Sequence, residues 1–178
     1  MSWIKEIPIE YSGTPDNIIK IHSLRPHTLR GHLALYKNVL HHSSNTLPRW
    51  YLEAIGVFVS VLNDCAYCVA HHREGIKKNS ADQADAIKII EALQQGKPEL
   101  FFNGMLLEGL NYTKTLTISP ASILEDDIMR LRRVGFSDGE ILEINQVCAY
   151  FNYANRTVLG LGVSLAGDFP GSSPVQLL

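Results

Sequence analysis

The chain is poor in several things, and each scarcity narrows what it can be. Uncharged apolar runs are short: none approaches the ~20 residues that a membrane-spanning helix needs. The longest, residues 54–62, reads as a buried helix. Charge is sparse and nearly balanced, at 19% of residues and a formal net charge of -2, and no Lys/Arg cluster stands out. That argues against a nucleic-acid partner; Arg130 with Arg132 and Arg133 reads as the solvated face of a helix end. Met1-Ser2-Trp3-Ile4-Lys5-Glu6 has no basic region leading into an apolar stretch, so no secretory signal is expected and a cytoplasmic location is. There, disulfides are usually transient and catalytic rather than structural. Strand-period alternation is weak, with residues 115–118 the best case, and no hairpin dipeptide occurs. Repeats, low-complexity tracts and linker-like composition are missing too, which leaves one domain over residues 1–178.

What is present is helical punctuation around ordinary apolar content (46% of 178 residues), enough for one sizeable core. Pro26 opens a helix through Leu33, Tyr36, Val39 and Leu40. Asn45 or Thr46 caps the next, with Pro48 in its first turn, running to about Leu62. Asn63 and Asp64 break and re-cap the chain, and a helix from Cys65 reaches about Lys78. Capping boxes are expected at Ser80 with Gln83, Ser122 with Glu125, and Ser137 with Glu140. Gly96 and Gly135 end helices, and Pro98 starts another through Leu106 and Leu110. The expectation is an all-α bundle of about seven or eight helices.

The chemistry concentrates at Cys65-Ala66-Tyr67-Cys68-Val69-Ala70-His71-His72. At about 100° per residue, Cys65, Cys68 and His72 share an arc of about 60°, and His71 points about 100° away from His72. The spacing therefore selects His72 as the partner of the thiols. A thiol attacks an electrophile as its thiolate, which a helix N-terminus and a neighbouring imidazole both favour. A second cysteine in reach turns a sulfenic acid into a disulfide before over-oxidation. Asp64 is expected to be occupied as the N-cap. Glu53 heads the apolar run and is costly to bury without a partner. Gly56 and Ser60 lie on its side of the helix and would let the cysteine helix approach, making Glu53 a proton partner for His72.

Glu53 followed by Cys65-x-x-Cys68-x-x-x-His72 resembles the alkylhydroperoxidase AhpD and carboxymuconolactone decarboxylase superfamily, in its peroxidase-related branch. The likeness extends to the opening Met1-Ser2-Trp3-Ile4, the Cys-x-Tyr-Cys-Val form of the pair, and residues 149–156, Ala-Tyr-Phe-Asn-Tyr-Ala-Asn-Arg. It covers most of the chain, with a core motif over residues 47–78. The resemblance implies an AhpD-like bundle, Cys68 as peroxidatic thiol, Cys65 as resolving thiol, and His72 and Glu53 as a proton relay, with no cofactor and no metal. It implies a hydroperoxide substrate, a dithiol or protein reductant, and a homo-oligomer, trimeric or hexameric. In one departure, Tyr67 stands where AhpD proper carries a histidine, which removes a relay member.

Two rival readings use the same residues. One is a thiol-disulfide oxidoreductase; the other is a metal-stapled helical oligomer, to which His41 and His42 would contribute. Cys148, between Val147 and Ala149, reads as a small buried hydrophobe. Asn152, Asn155 and Arg156 read as a buried network or subunit contact. His22, His27, His32, His41 and His42 share no spacing with a carboxylate or cysteine and read individually as surface or helix-terminal. Tyr67 is expected to line the pocket or pack against a neighbouring helix. Residues 168–178 read as a loop with an apolar end.

Overall fold

The computed structural model describes residues 2–5 and 15–171. Among these, eight α-helices and no strands occur: α1 Asn17–Ile21, α2 Pro26–His41, α3 Arg49–Leu62, α4 Ala66–Asn79, α5 Gln83–Gln94, α6 Gly104–Ile118, α7 Glu125–Arg133 and α8 Asp138–Gly160. The all-α expectation holds, with α1 the one helix that was not expected.

The bundle is organised around α3. Every residue from Tyr51 to Ser60 is buried, and the helix packs against α2, α4, α5, α6 and α8. A helix apolar on all sides can only be a central one. α8 lies alongside it, closing the core with Ile144, Val147, Phe151 and Ala154.

Several caps differ from the expectation. α3 starts at Arg49 behind Pro48, and the amides of Thr46 and Leu47 donate instead to the Glu143 carboxylate at 2.8 and 2.9 Å. Asp64 is not an N-cap: it is exposed, at φ 54°, and makes the left-handed turn that lets α4 begin immediately after α3. Asp and Asn tolerate that conformation better than most residues. Cys65 itself therefore occupies the cap position of α4. Asp82, not Ser80, caps α5, its carboxylate accepting from the amides of Ala84 and Asp85. A carboxylate one residue before the helix outcompetes a serine three before it. Pro98 opens only a 3-10 turn, Pro98–Leu100, and α6 begins at Gly104. At α7 the cap position is Leu124, whose amide donates to Asp127 at 2.9 Å, while Ser122 ends a 3-10 turn. Only the Ser137–Glu140 box forms as expected, with both reciprocal bonds.

The small-residue face of α3 also meets a different partner. A Cβ on Gly56 would lie 2.3 Å from the Phe151 ring, and Ser60 Oγ accepts from Asn155 Nδ2 at 3.1 Å. That face admits α8 rather than α4. The glycine that brings α4 against Glu53 is Gly75, where a Cβ would stand 2.4 Å from the Glu53 carboxyl carbon.

Candidate functional site

The cap position of α4 places both sulfurs in its first turn. Cys65 and Cys68 are free thiols, 1% and 3% exposed. The two thiols interact with one another and Cys65 also with the backbone of Cys68 and Tyr67, although the Cys65 side chain makes no cap hydrogen bond to the helix. The neighbouring Cys68 thiol, and then the backbone of Cys68 and Tyr67, draw the Cys65 thiol below its ordinary range against the opposing effect of burial. Cys68, in turn, is pushed up by the neighbouring Cys65 thiol and by burial, with the Asn155 side chain working the other way. Such a pair shares its protons. The charge of a singly ionised pair rests first on Cys65, while Cys68 is the thiol that lines a cavity.

That cavity, of about 90 Å³, is lined by Cys68 together with Glu53, His72, Tyr67, His71 and Tyr36, among others. One turn beyond Cys68, His72 Nδ1 donates to Glu53 Oε2 at 2.8 Å. The carboxylate, 3% exposed, comes from α3 through the gap left by Gly75. With Nδ1 so engaged, the neutral ring keeps Nε2 as its basic nitrogen. Phe151 of α8 meets the ring edge-on, centroids 4.5 Å apart. All four residues singled out by sequence thus come together at the head of α4, with Cys68, His72 and Glu53 on one cavity.

Other side chains, given no catalytic role by the sequence, also surround the site. Asn155 is fully buried on α8; it takes a hydrogen bond from Asn63 Nδ2 (3.0 Å) and gives one to Ser60. Half-buried Asn152 continues this network, so the buried-network reading describes Asn152 and Asn155, whereas Arg156 is exposed and donates only to Asn152. Tyr67 lines the cavity, its hydroxyl donating to Asp168 Oδ2 at 2.6 Å and accepting the Ile18 amide. His71 lies between Asp16 and Asp168, at 3.8 and 3.5 Å. Among the described residues, these three form the one set of converging metal-type donors. Burial and the proximity of His72 lower the His71 pKa to about 4 despite Asp168, so the ring is neutral at pH 7.

The histidines around α2 correct the surface reading. His22 and His32 are both buried and stack on one another, centroids 4.9 Å apart. His32 lines the cavity, as does His41, packed edge-on against Tyr36. The missed signal was periodicity: Leu29, His32, Tyr36 and Val39 share the inward face of one helix. His42 and His27 are exposed, as expected. Cys148 is fully buried on α8 against the Thr117 hydroxyl, and burial raises its pKa.

Burial lowers the pKa of His32 to about 4, with His22 adding to the effect. Burial, then Arg49, does the same for His41, again to about 4. The unfolded chain takes up these protons near pH 6.5 and the folded one only near pH 4. Stability is therefore complete above 6.5 and lost as pH falls toward 4. Tm at about pH 4.5 should lie on the order of 5–10 °C below that at about pH 7.5, and His32→Gln should flatten the difference in a calorimetric series.

A sequence profile described as the carboxymuconolactone decarboxylase family matches residues 26–104, the stretch that contains Glu53, Cys65, Cys68 and His72. No curated protein shows significant similarity to the chain. Among solved structures, the chain is similar to an uncharacterized peroxidase-related protein from Silicibacter sp. TM1040, with 25% identity, a TM-score of 0.71, and 83% of this chain and 74% of that one covered. It is also similar in fold to an alkylhydroperoxidase AhpD core protein from Ralstonia eutropha JMP134, at 20% identity and a TM-score of 0.75, covering 89% of this chain and 78% of that one. The debrominase Bmp8, solved in complex with 2,3,4-tribromopyrrole, shares the fold at 19% identity and a TM-score of 0.69, covering 85% of this chain and 77% of that one. Among the described residues, no helix is long and apolar enough to cross a membrane.

Proposed function

We propose that the chain is a thiol-dependent peroxidase of the AhpD-like and carboxymuconolactone decarboxylase superfamily, a reading supported by the family profile over residues 26–104 and by the likeness to a peroxidase-related structure. The observation that carries this reading is the hydrogen-bonded His72–Glu53 pair on the same small cavity as the Cys68 sulfur.

The reaction begins with ionisation of the thiol pair. Cys65, favoured by the Cys68 thiol and the backbone of the first turn, holds the charge at rest and accepts the Cys68 proton as a hydroperoxide enters. The Cys68 thiolate attacks the terminal peroxide oxygen. The O–O bond breaks, Cys68 becomes the sulfenic acid, and the departing alkoxide takes a proton relayed through His72 and Glu53 to leave as alcohol. Cys65 gives up its proton to the same relay, and its thiolate attacks the Cys68 sulfur. The S–S bond forms, the S–O bond breaks, and the departing hydroxyl takes back from the relay the proton that Cys65 gave it, leaving as water. An external dithiol reopens the disulfide by exchange. The relay is a single His–carboxylate couple, since Tyr67 holds the position of a further histidine and gives its hydroxyl proton to Asp168.

A thiol-disulfide oxidoreductase would use the same sulfurs, but a cavity of about 90 Å³ around Cys68 favours a small peroxide over a bulky disulfide. Metal held by the thiols has less support: among the described residues, the donors that converge are Asp16, His71 and Asp168, and neither cysteine is among them. The proposed setting is the cytoplasm, where a dithiol reductant is at hand, with the chain acting as a homo-oligomer.

Treating the reduced protein with one equivalent of a hydroperoxide should produce a Cys65–Cys68 disulfide and leave Cys148 reduced, as read by peptide mass spectrometry. Both thiols remaining free would sink the mechanism.

A further inference from the structure

The chain does not finish with α8. It turns at Gly162, at φ 63°, and residues 161–171 run back across α1 and α4. The segment is fastened along its length. Asn17 Nδ2 donates to the carbonyls of Ser164 and Ala166, at 2.8 and 3.0 Å. The Asn17 backbone amide reaches both Asp168 oxygens, at 3.0 and 2.9 Å. The Tyr67 hydroxyl donates to Asp168 at 2.6 Å, and the Lys78 ammonium donates to the Gly171 carbonyl. The Asp168 side chain is 0% exposed.

A carboxylate in full burial stays there only if its hydrogen bonds replace those of water. Here they tie three distant pieces of chain together: the start of α1, the segment after α8, and Tyr67, a residue between the two cysteines. Gly171, at the end of this segment, forms part of the wall of the Cys68 cavity, alongside Lys78 and Asn79. The wall is thus made partly of chain that Asp168 holds in place, 101 residues beyond Tyr67 in sequence.

We propose that Asp168 is a specificity-determining residue: by pinning residues 161–171 against Asn17 and Tyr67, it keeps the Cys68 cavity small and restricts it to small hydroperoxides. The inference rests on the reading of Cys68 as the reacting thiol. It predicts that larger, branched or aromatic hydroperoxides are poor substrates until the segment is released, and that release acts on KM for bulky substrates more than on kcat for small ones.

Its test needs no peroxide. Reduced wild-type protein, Asp168→Ala, Asp168→Asn and Tyr67→Phe are alkylated with iodoacetamide or with N-(1-pyrenyl)maleimide, and Cys68 modification is timed by mass spectrometry. Asp168→Ala should raise the rate with the bulky reagent relative to the small one by about tenfold or more, the gain in open states expected from losing a buried charged anchor. Asp168→Asn keeps an acceptor for Asn17 and Tyr67 and should recover most of the wild-type ratio. Tyr67→Phe removes one anchor with no change of charge and should move the ratio the same way by less. It also serves if Asp168→Ala does not fold. Unchanged ratios in the folded variants would overturn the proposal. A changed ratio in a protein that consumes no peroxide would uphold it and instead count against the peroxidase reading.

Discussion

Cys68→Ser should reduce hydroperoxide consumption to the uncatalysed background, and Cys65→Ser should not do the same. The two sulfurs lie in one turn and interact, yet they differ in access: Cys68 lines the cavity, while Cys65 sits at the helix cap, 1% exposed, and does not line it. Serine in place of Cys68 is an alcohol far too weakly acidic to be ionised there, so the step that breaks the O–O bond has no nucleophile. Serine in place of Cys65 leaves that nucleophile but removes the resolving thiol. The Cys65→Ser protein should complete one turnover, carry a sulfenic acid on Cys68 that a dimedone-type reagent traps, and progress to sulfinic acid with excess peroxide. Peroxide consumption and intact-mass spectra on the same samples distinguish these outcomes. If Cys65→Ser were the dead variant and Cys68→Ser gave the single turnover, the roles of the sulfurs would be exchanged, as the lower pKa of Cys65 taken alone would suggest. Cys148→Ser should retain nearly full activity, because Cys148 is enclosed between Thr117 and Asn152 and does not line the cavity.

The parts of this site that were legible in the sequence are those set by local spacing. Cys65, Cys68 and His72 lie within about two turns of one helix, and a helix fixes their relative directions whatever packs around it. The choice of His72 over His71 followed from that alone. Glu53 was legible because a carboxylate at the head of an apolar helix needs a partner, but the means of approach was misread. Gly56 and Ser60 serve α8, and the gap for Glu53 is Gly75, on α4 itself. Which helix a small-residue face meets depends on tertiary packing, and periodicity is silent about that. The missed groups share the same physical origin. His32 carries no motif, Asn155 lies 95 residues from the Ser60 hydroxyl that it binds, and Asp168 is 101 residues from the Tyr67 hydroxyl that it binds. The caps failed for a smaller reason: several residues within two or three positions can each cap a helix, and the local turn chooses among them. Of the loop expected over residues 168–178, the part from 172 onward lies outside the described residues, and the part before it is an anchor of the cavity wall.

Glu53→Gln should lower kcat/KM for hydroperoxide by roughly 10²–10⁴-fold, the range over which a positioned proton-transfer group contributes. The substitution nearly preserves volume, and the glutamine oxygen still accepts from His72 Nδ1, so the His72 ring keeps its orientation and the fold its packing against Gly75. What is lost is the charge. A neutral amide cannot take a proton or stabilise the imidazolium that forms when His72 does, so the ring can no longer hold a proton between the thiols and the leaving alkoxide. The effect should therefore fall on the rate of sulfenic acid formation, with thermal stability close to wild type. The pH at which the cysteine pair becomes alkylatable should also move upward, because the relay no longer favours the ionised pair. His72→Asn should resemble Glu53→Gln in rate, and the double variant should cost little more than either single one, since the two act as one unit. Glu53→Ala is the harsher change: it leaves His72 without its acceptor beside a cavity in the core, and its loss of activity should come with a lower Tm. Stopped-flow peroxide reduction, a pH series of iodoacetamide alkylation and thermal unfolding on the four variants test these expectations together. A Glu53→Gln protein with wild-type turnover and an unshifted alkylation profile would remove the carboxylate from the chemistry and leave it a purely structural partner of His72.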